Sequence, residues 1–279
     1  MAIVTFFNNE PKETGQTLSS VAIASIYGIE HNLNILLIPT DFNDQTVDHS
    51  YFVDRKKSMS FMNSFTKGNG NDFSNGAEGL VRMFAANRAS KDIIKSYTKP
   101  VLHDRLDILV PPDTSVIQDF QNVTKFYPAV IELANQVYDI VFVDLSRDLR
   151  KDAYERILEI THIPILMLRQ EQKSVDKFLE LKAESQFFSK QNLLLAIGKY
   201  DKDCTYTAKN MGRYLREKRV PLTVPYNAHF YDYSTRGKTI DYFLATRKLT
   251  FKDGAEGFFY DELRRDVDEI EKIRVLNGF

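Results

Sequence analysis

Short apolar runs, each followed by a segment whose apolar residues have helical spacing, recur along the whole chain. Strands that are apolar on both faces are typical of parallel sheets with helices packed on each side. The runs lie at residues 2–7, 35–38, 106–111, 139–145, 163–168, 191–198 and 221–225. The pattern therefore predicts an α/β fold, with a mostly parallel sheet of about seven strands and helices on both faces.

The chain shows no internal repeat or low-complexity linker, so we expect a single domain over residues 1–279. Two parts extend beyond the repeated pattern of strand and helix: an elaborated segment at about 43–100 and a charged C-terminal helix at about 257–276. The aromatic and polar stretch at 227–236 is predicted to be a loop. Further helices are predicted at 17–30, 48–65, 76–86, 90–97, 115–137, 149–160, 172–186, 205–218 and 236–247.

Composition excludes several classes of function. Lys plus Arg is 37 and Asp plus Glu is 38, so a net charge of -1 argues against binding nucleic acid through bulk charge, although a local basic patch stays open. The single cysteine, Cys204, excludes an internal disulfide and a cysteine-based zinc cluster. The first residues lack the features of a signal peptide, and no apolar run is long enough to span a membrane. We therefore expect a cytoplasmic protein with no integral membrane segment.

The loop after the first apolar run is the first place to look for a ligand site, because ligands bind at the carboxyl ends of parallel strands. It reads EPKETGQT, from Glu10 to Thr17, directly before a predicted helix. A phosphate-binding loop has the pattern G-x-x-x-x-G-K-S/T. Gly15 and Thr17 fit that pattern, whereas Gln16 stands in place of the lysine and Glu10 in place of the first glycine. Taken alone, the match is weak, and the loop is better explained as a turn followed by a helix cap.

Four further segments accompany this loop in a characteristic order. ILLIPTD (35–41) is similar to a second strand of the type LLIDxD, and YDIVFVDLS (138–146) to a Walker B strand of the type YDxIIIDTP. The segments at 76–112 and 224–240 resemble the parts before the third strand and near the end of the same family. Over almost its whole length, the chain resembles the ParA/MinD family of deviant Walker-type P-loop ATPases, nearest the CpaE/TadZ-like branch. The resemblance implies a P-loop NTPase-like fold.

The resemblance also implies ATP or ADP with Mg²⁺ as ligand. Thr17 and Asp144 would then be the metal-binding residues, and Asp41 the catalytic carboxylate that orients the attacking water. Two of these residues also have a purely structural interpretation: Thr17 as a helix cap and Asp41 as a cap at a strand end. The nucleotide-binding residues implied are Lys12, Thr14, Gly15, Gln16, Thr17, Leu18, Pro225 and Tyr226.

The sequence departs from the family pattern where charge matters most. Gln16 carries no charge at the position of the loop lysine, and Pro11 stands at the signature lysine. Glu13 replaces a loop glycine, and with Glu10 it would repel a polyphosphate. Lys12, which replaces the other loop glycine, is a candidate substitute cation. Because phosphoryl transfer depends on positioning and charge neutralisation, the degenerate loop predicts weak nucleotide binding with little or no hydrolysis.

Three functions remain open at this point. The resemblance implies a homodimeric localisation or assembly factor with protein partners, either in placing pilus or secretion machinery or in partitioning a plasmid or mobile element. A slow but genuine ATPase of the same family is the second possibility, and a nucleotide-free interaction module is the third. The C-terminal helix has six acidic and four basic residues over 257–276, which favours packing on the domain or on a second subunit over binding to anionic lipid.

Overall fold

The apolar runs form the strands of one sheet in a computed structural model that describes residues 1–10, 14–52, 76–112 and 114–279. The strands are β1 Ala2–Phe7, β2 Ile35–Pro39, β3 Lys99–Leu102, β4 Leu106–Ile108, β5 Ile140–Asp144, β6 Ile163–Leu168, β7 Leu194–Tyr200 and β8 Leu222–Pro225. The helices are α1 Gln16–Glu30, α2 Thr46–Tyr51, α3 Ala77–Ala85, α4 Ile117–Thr124, α5 Tyr127–Ala134, α6 Lys151–Ile160, α7 Gln172–Glu184, α8 Ala208–Leu215, α9 Ala228–Thr235, α10 Thr239–Thr246 and α11 Gly254–Leu276. Short 3₁₀ helices cover Lys91–Tyr97 and Gln186–Ser189.

The predicted α/β architecture is confirmed. Among the described residues the strand order is β3-β4-β2-β5-β1-β6-β7-β8, and every neighbouring pair is parallel except β3 with β4. That antiparallel edge strand raises the count from about seven to eight. It is short and contains Pro100, a residue that sheets accept at an edge because proline cannot donate to the ladder.

Helices cover both faces of the sheet because successive side chains of a strand point to opposite sides. On β1, Val4 and Phe6 pack with α1, α10 and α11, whereas Ile3 and Phe7 pack with the helices of the other face. All six residues of β1 are buried. The central strand therefore joins two apolar layers, and its carboxyl end opens between them.

Several helices differ from the sequence-based prediction. The helix expected at 115–137 is two helices, α4 and α5, and Pro128 lies in the first turn of the second one. The stretch expected to be a loop at 227–236 contains α9, whose start is capped by Asn227 Oδ1 accepting from the backbone N–H of Phe230 at 2.7 Å. Of the helix predicted at 48–65, residues 53–65 lie outside the described part of the chain.

The C-terminal helix packs on its own domain. Its buried side chains, among them Phe259, Leu263 and Ile270, lie against α1 and β8. Asp266 on the same helix is fully buried and accepts from the backbone N–H of Thr223 on β8 at 2.9 Å. The apolar face of α11 is thus used within the chain. No helix in the described ranges is both long and apolar enough to cross a membrane.

Candidate functional site

The carboxyl ends of β1, β2 and β5 bring the predicted Walker-type residues together. In the sheet, Asp144 at the end of β5 lies between Phe6 on β1 and Pro39 on β2. The loop after β1 therefore starts beside Asp144, and Asp41 follows β2 on the other side. The α1 helix begins where that loop ends, so its N-terminus belongs to the same edge of the sheet.

The first part of the loop is held against α7, away from the start of α1. The Glu10 carboxylate is buried and accepts from the Ser174 hydroxyl, and Lys177 Nζ donates to the backbone oxygen of Asn9 at 2.6 Å. The Glu10 carboxylate is therefore tied to α7 rather than left free in the loop. Pro11, Lys12 and Glu13 lie outside the described residues.

The second part of the loop docks on the end of β7. A Cβ placed on Gly198 would lie 2.0 Å from the Thr14 carbonyl oxygen, so only glycine lets the loop approach this strand so closely. Gly15 then turns the chain with a φ of 73°, a left-handed conformation that favours glycine. Thr14 and Gly15, both predicted from the sequence as loop residues, thus have structural roles: Thr14 docks the loop on β7, and Gly15 turns the chain into α1.

The N-terminus of α1 presents backbone donors to the site. No side chain of the described residues caps this 15-residue helix. The N–H groups of its first turn, from Gln16, Thr17 and Leu18, have no partners within the helix, and the helix dipole adds partial positive charge there. An anion placed at this point would gain from both effects. The Leu18 side chain is partly buried against the apolar core, so Leu18 can offer an anion only its backbone N–H.

Gln16 does not point its amide at this anion position; it bonds to the end of β5. Its Nε2 donates to Asp144 Oδ1 at 2.6 Å and to the backbone oxygen of Leu145 at 3.1 Å. Its Oε1 accepts from Asn8 Nδ2 at 2.7 Å. The side chain is 7% exposed. Both polar groups of the Gln16 side chain are therefore engaged within the protein, and neither supplies positive charge.

Asp144 is a fully buried carboxylate with one oxygen left over. Burial raises its pKa to about 6, although hydrogen bonding from Gln16 and from the nearby Thr17 hydroxyl lowers it in part. Its Oδ2 is buried and has no hydrogen-bond partner of normal geometry among the described residues. A free carboxylate oxygen beside a threonine hydroxyl is a fitting donor pair for Mg²⁺, which binds one or two protein oxygens and completes its shell with water and phosphate.

Asp41 lies close enough to Asp144 for the two carboxyls to influence each other. Burial raises the pKa of Asp41 well above its ordinary range, the Asp144 charge raises it further, and a hydrogen bond from Ser146 opposes the shift. Thr40 ties the two strand ends together, since its hydroxyl donates to the Asp144 backbone oxygen at 2.9 Å and accepts from the Ser146 N–H at 2.7 Å. The described residues hold no group of three or more His, Cys, Asp or Glu that could hold a metal ion.

The sequence-based prediction missed Asn8, Thr40 and Ser146, which orient Gln16 and the carboxyls. Asn8 and Thr40 directly follow a strand, and Ser146 lies two residues after one; that position is the signal that would have found them. Pro225 and Tyr226 lie at the same edge, but β8 is three strands from β1 in the sheet. Pro225 is buried, whereas Tyr226 is 64% exposed and its backbone N–H donates to the Tyr200 oxygen at 3.1 Å. These two residues are therefore not in the cluster around Asp144.

Comparison with known proteins identifies the fold. Neither family models nor curated proteins match the sequence. Among solved structures, a ParA family ATPase from Chlorobium tepidum is 13% identical, with 95% of this chain and 98% of that chain covered and a TM-score of 0.67. The chain has the fold of the ParA/MinD ATPases.

Two other structures with this fold contain nucleotides. The septum site-determining protein MinD from Pyrococcus horikoshii, complexed with Mg-ADP, is 13% identical, with 98% of each chain covered and a TM-score of 0.60. A candidate plasmid partition protein from Borrelia burgdorferi, bound to AMPPNP, is 16% identical, with 99% of each chain covered and a TM-score of 0.57. At these identities the comparison establishes the architecture, and the function has to be argued from the site.

Proposed function

We propose that this chain is a degenerate ParA/MinD-like nucleotide-binding protein that binds ATP or ADP with Mg²⁺ weakly and hydrolyses it little or not at all. Three features of the described residues support nucleotide binding: the N–H groups at the start of α1 without partners in the helix, the left-handed Gly15, and Asp144 Oδ2 near Thr17 without a hydrogen-bond partner of normal geometry. Similarity of fold to proteins solved with Mg-ADP and AMPPNP agrees with this assignment.

The observation that carries the loss of hydrolysis is the bonding of Gln16. A neutral amide, held by Asp144, Leu145 and Asn8, stands where P-loop ATPases have a lysine. Hydrolysis needs charge stabilisation that grows in the transition state, whereas binding needs only the ground-state contacts. Loss of one such electrostatic donor costs about 3 kcal/mol of transition-state stabilisation. Binding should therefore survive better than turnover.

We further propose a role as a homodimeric localisation or assembly factor in the cytoplasm, acting with protein partners. The CpaE/TadZ-like resemblance favours placing pilus or secretion machinery. Partitioning of a plasmid or mobile element is the alternative, and the Borrelia structure is a candidate plasmid partition protein with the same fold. The net charge of -1 gives no support to DNA binding.

Calorimetric titration with Mg-ATP and Mg-ADP, alongside a phosphate-release assay, tests the nucleotide part of this proposal. We expect weak binding and release close to background. Gln16→Lys should tighten binding, because it adds positive charge. It should restore little hydrolysis, because Pro11 still stands at the signature lysine and Pro39 at the first carboxylate of the LLIDxD pattern. Absence of binding by both forms would contradict the proposal and favour an interaction module without nucleotide.

A slow but genuine ATPase is the second candidate, and one observation favours it. Asp41, Thr17 and Asp144 are still gathered at one edge of the sheet, as a water-activating and metal-binding set requires. Phosphate release well above background that is abolished by Asp41→Ala would establish this alternative. Equal release by the unmodified protein and by Asp41→Ala would leave the first proposal in place.

A further inference from the structure

The end of β7 projects a lysine out of the sheet. Gly198 pairs with Val224 and Tyr200 pairs with Pro225, so Lys199 is an extra residue in the ladder, a bulge. Its φ is 52°, which is uncommon for a residue with a side chain. Bulges re-aim side chains at sheet ends. Here the result is an exposed lysine at the same edge as the loop after β1.

The stem of this lysine lies over the loop where α1 begins. The Cγ of Lys199 is 3.2 Å from the position that a Cβ on Gly15 would take. The close approach of the Thr14 carbonyl to Gly198 fixes this arrangement, because it docks the loop on the end of β7. From Cγ onward the flexible stem has the reach to bring the ammonium to the first turn of α1.

The ammonium of Lys199 has no hydrogen-bond or ion-pair partner among the residues that the structure describes. Neighbouring lysines are engaged: Lys177 donates to the Asn9 backbone oxygen, and Lys202 lies over the rings of Phe251 and Phe258. Gln16 contributes no charge. Lys199 is thus a cation beside the N-terminus of α1, where Gln16 stands in place of the loop lysine.

We propose that Lys199 contacts the β-phosphate of a nucleoside diphosphate or triphosphate held at the start of α1, in place of the absent loop lysine. The inference rests on the proposed nucleotide binding and names the cation of that site. A second observation also points to a ligand there: the fully buried Oδ2 of Asp144, near Thr17, has no hydrogen-bond partner of normal geometry among the described residues. Phosphate-bound Mg²⁺ would satisfy that oxygen, and Lys199 would balance the remaining phosphate charge.

The test compares Lys199→Met with Lys202→Met, a loss of the same charge three residues away at a lysine that packs on aromatic rings. Titrations with Mg-ADP and with AMP, at two salt concentrations, separate a β-phosphate contact from general attraction. We expect Lys199→Met to weaken Mg-ADP binding about 10-fold, the scale of one charge-assisted hydrogen bond, and to reduce its salt dependence. AMP binding should change less than twofold. Lys199→Arg should retain most of the affinity, and Lys202→Met should bind as the unmodified protein does.

The outcomes separate the inference from the proposed function. Mg-ADP binding by Lys199→Met within twofold of the unmodified protein would overturn the role of Lys199 and leave the proposed function standing. An equal loss in Lys202→Met, or an equal loss of AMP affinity, would also overturn it. Absence of Mg-ADP binding by the unmodified protein would overturn both. Thermal unfolding of each variant shows that any loss of binding is not a loss of folding.

Discussion

Replacement of Gln16 by leucine tests whether its bonding to the end of β5 stabilises the fold. The change removes the donor to Asp144 Oδ1, the donor to the Leu145 oxygen and the acceptor for Asn8 Nδ2. A hydrogen bond to a charged group is worth about 1.5 to 3 kcal/mol, and a neutral one about 1 kcal/mol. Some gain comes from burying an apolar side chain. We therefore expect a net loss of about 2 to 3 kcal/mol in the free energy of unfolding.

The size of this loss should depend on pH. The hydrogen bond from Gln16 lowers the pKa of Asp144, whose burial raises it to about 6, so Gln16 favours the ionised carboxylate. That contribution is complete above the still higher pKa that Asp144 has in the variant, and it shrinks as pH falls through the pKa in the unmodified protein, because the protonated carboxyl gains less from the donor. The difference between the two proteins should therefore be larger at pH 7.5 than at pH 5.

Urea unfolding at both pH values, followed by circular dichroism, measures these differences. Gln172→Leu is the matched control, because Gln172 Nε2 makes a similar bond, 2.8 Å to Asp176 Oδ1, on the exposed side of α7. Surface substitutions of this kind usually change stability by less than about 0.5 kcal/mol. The reasoning would be refuted by a Gln16→Leu loss no larger than that of the control, or by a loss that is the same at both pH values.

Two further changes probe the surroundings of Gln16. Asp41→Asn should stabilise the fold by at least about 1 kcal/mol at pH 7.5, because burial and the Asp144 charge raise the pKa of Asp41 by more than one unit and each unit is worth about 1.4 kcal/mol. The cost of ionising Asp41 grows as pH rises above about 4, so in urea unfolding the variant should match the unmodified protein near pH 4; destabilisation at pH 7.5 would contradict this. Gly198→Ala should lower the free energy of unfolding by about 2 kcal/mol, because the added Cβ would lie 2.0 Å from the Thr14 carbonyl oxygen and overpacking of this kind costs about 1 to 3 kcal/mol. An unchanged melting temperature would show that the loop is not docked on the end of β7.

The sheet could be predicted because its central strands are apolar on both faces, as at 2–7 and 163–168. The edge strand β3 could not, since Lys99 and Pro100 give it neither continuous apolarity nor alternation. The division of the predicted helix at 115–137 was readable from Pro128, which suits the first turn of a helix and is costly in its interior. The α9 helix was hidden by an aromatic and polar composition that is equally typical of loops.

The candidate site was only partly accessible from the sequence. Gly15 and Thr17 follow a local pattern, and Asp144 ends an apolar strand. The bond between Gln16 and Asp144, however, joins residues 128 positions apart, and no local pattern reports its geometry. The orientation of Glu10 is a similar case. Sequence alone places the Glu10 charge in the predicted phosphate loop, whereas in the structure the Ser174 hydroxyl on α7 donates to this carboxylate.

The groups present at this edge differ in kind from the groups that are missing. Backbone N–H groups, the turn at Gly15 and the Asp144 Oδ2, which has no partner among the described residues, would act on a bound phosphate and its metal before any reaction. The missing lysines would act on charge that increases as the phosphoryl group transfers. The Gln16 amide, fixed to Asp144 and Leu145, does not follow that increase. The proposed role of Lys199 agrees with the proposed function. A single cation on a flexible stem would add to the affinity for phosphate, but it would lack the fixed position that transition-state stabilisation requires.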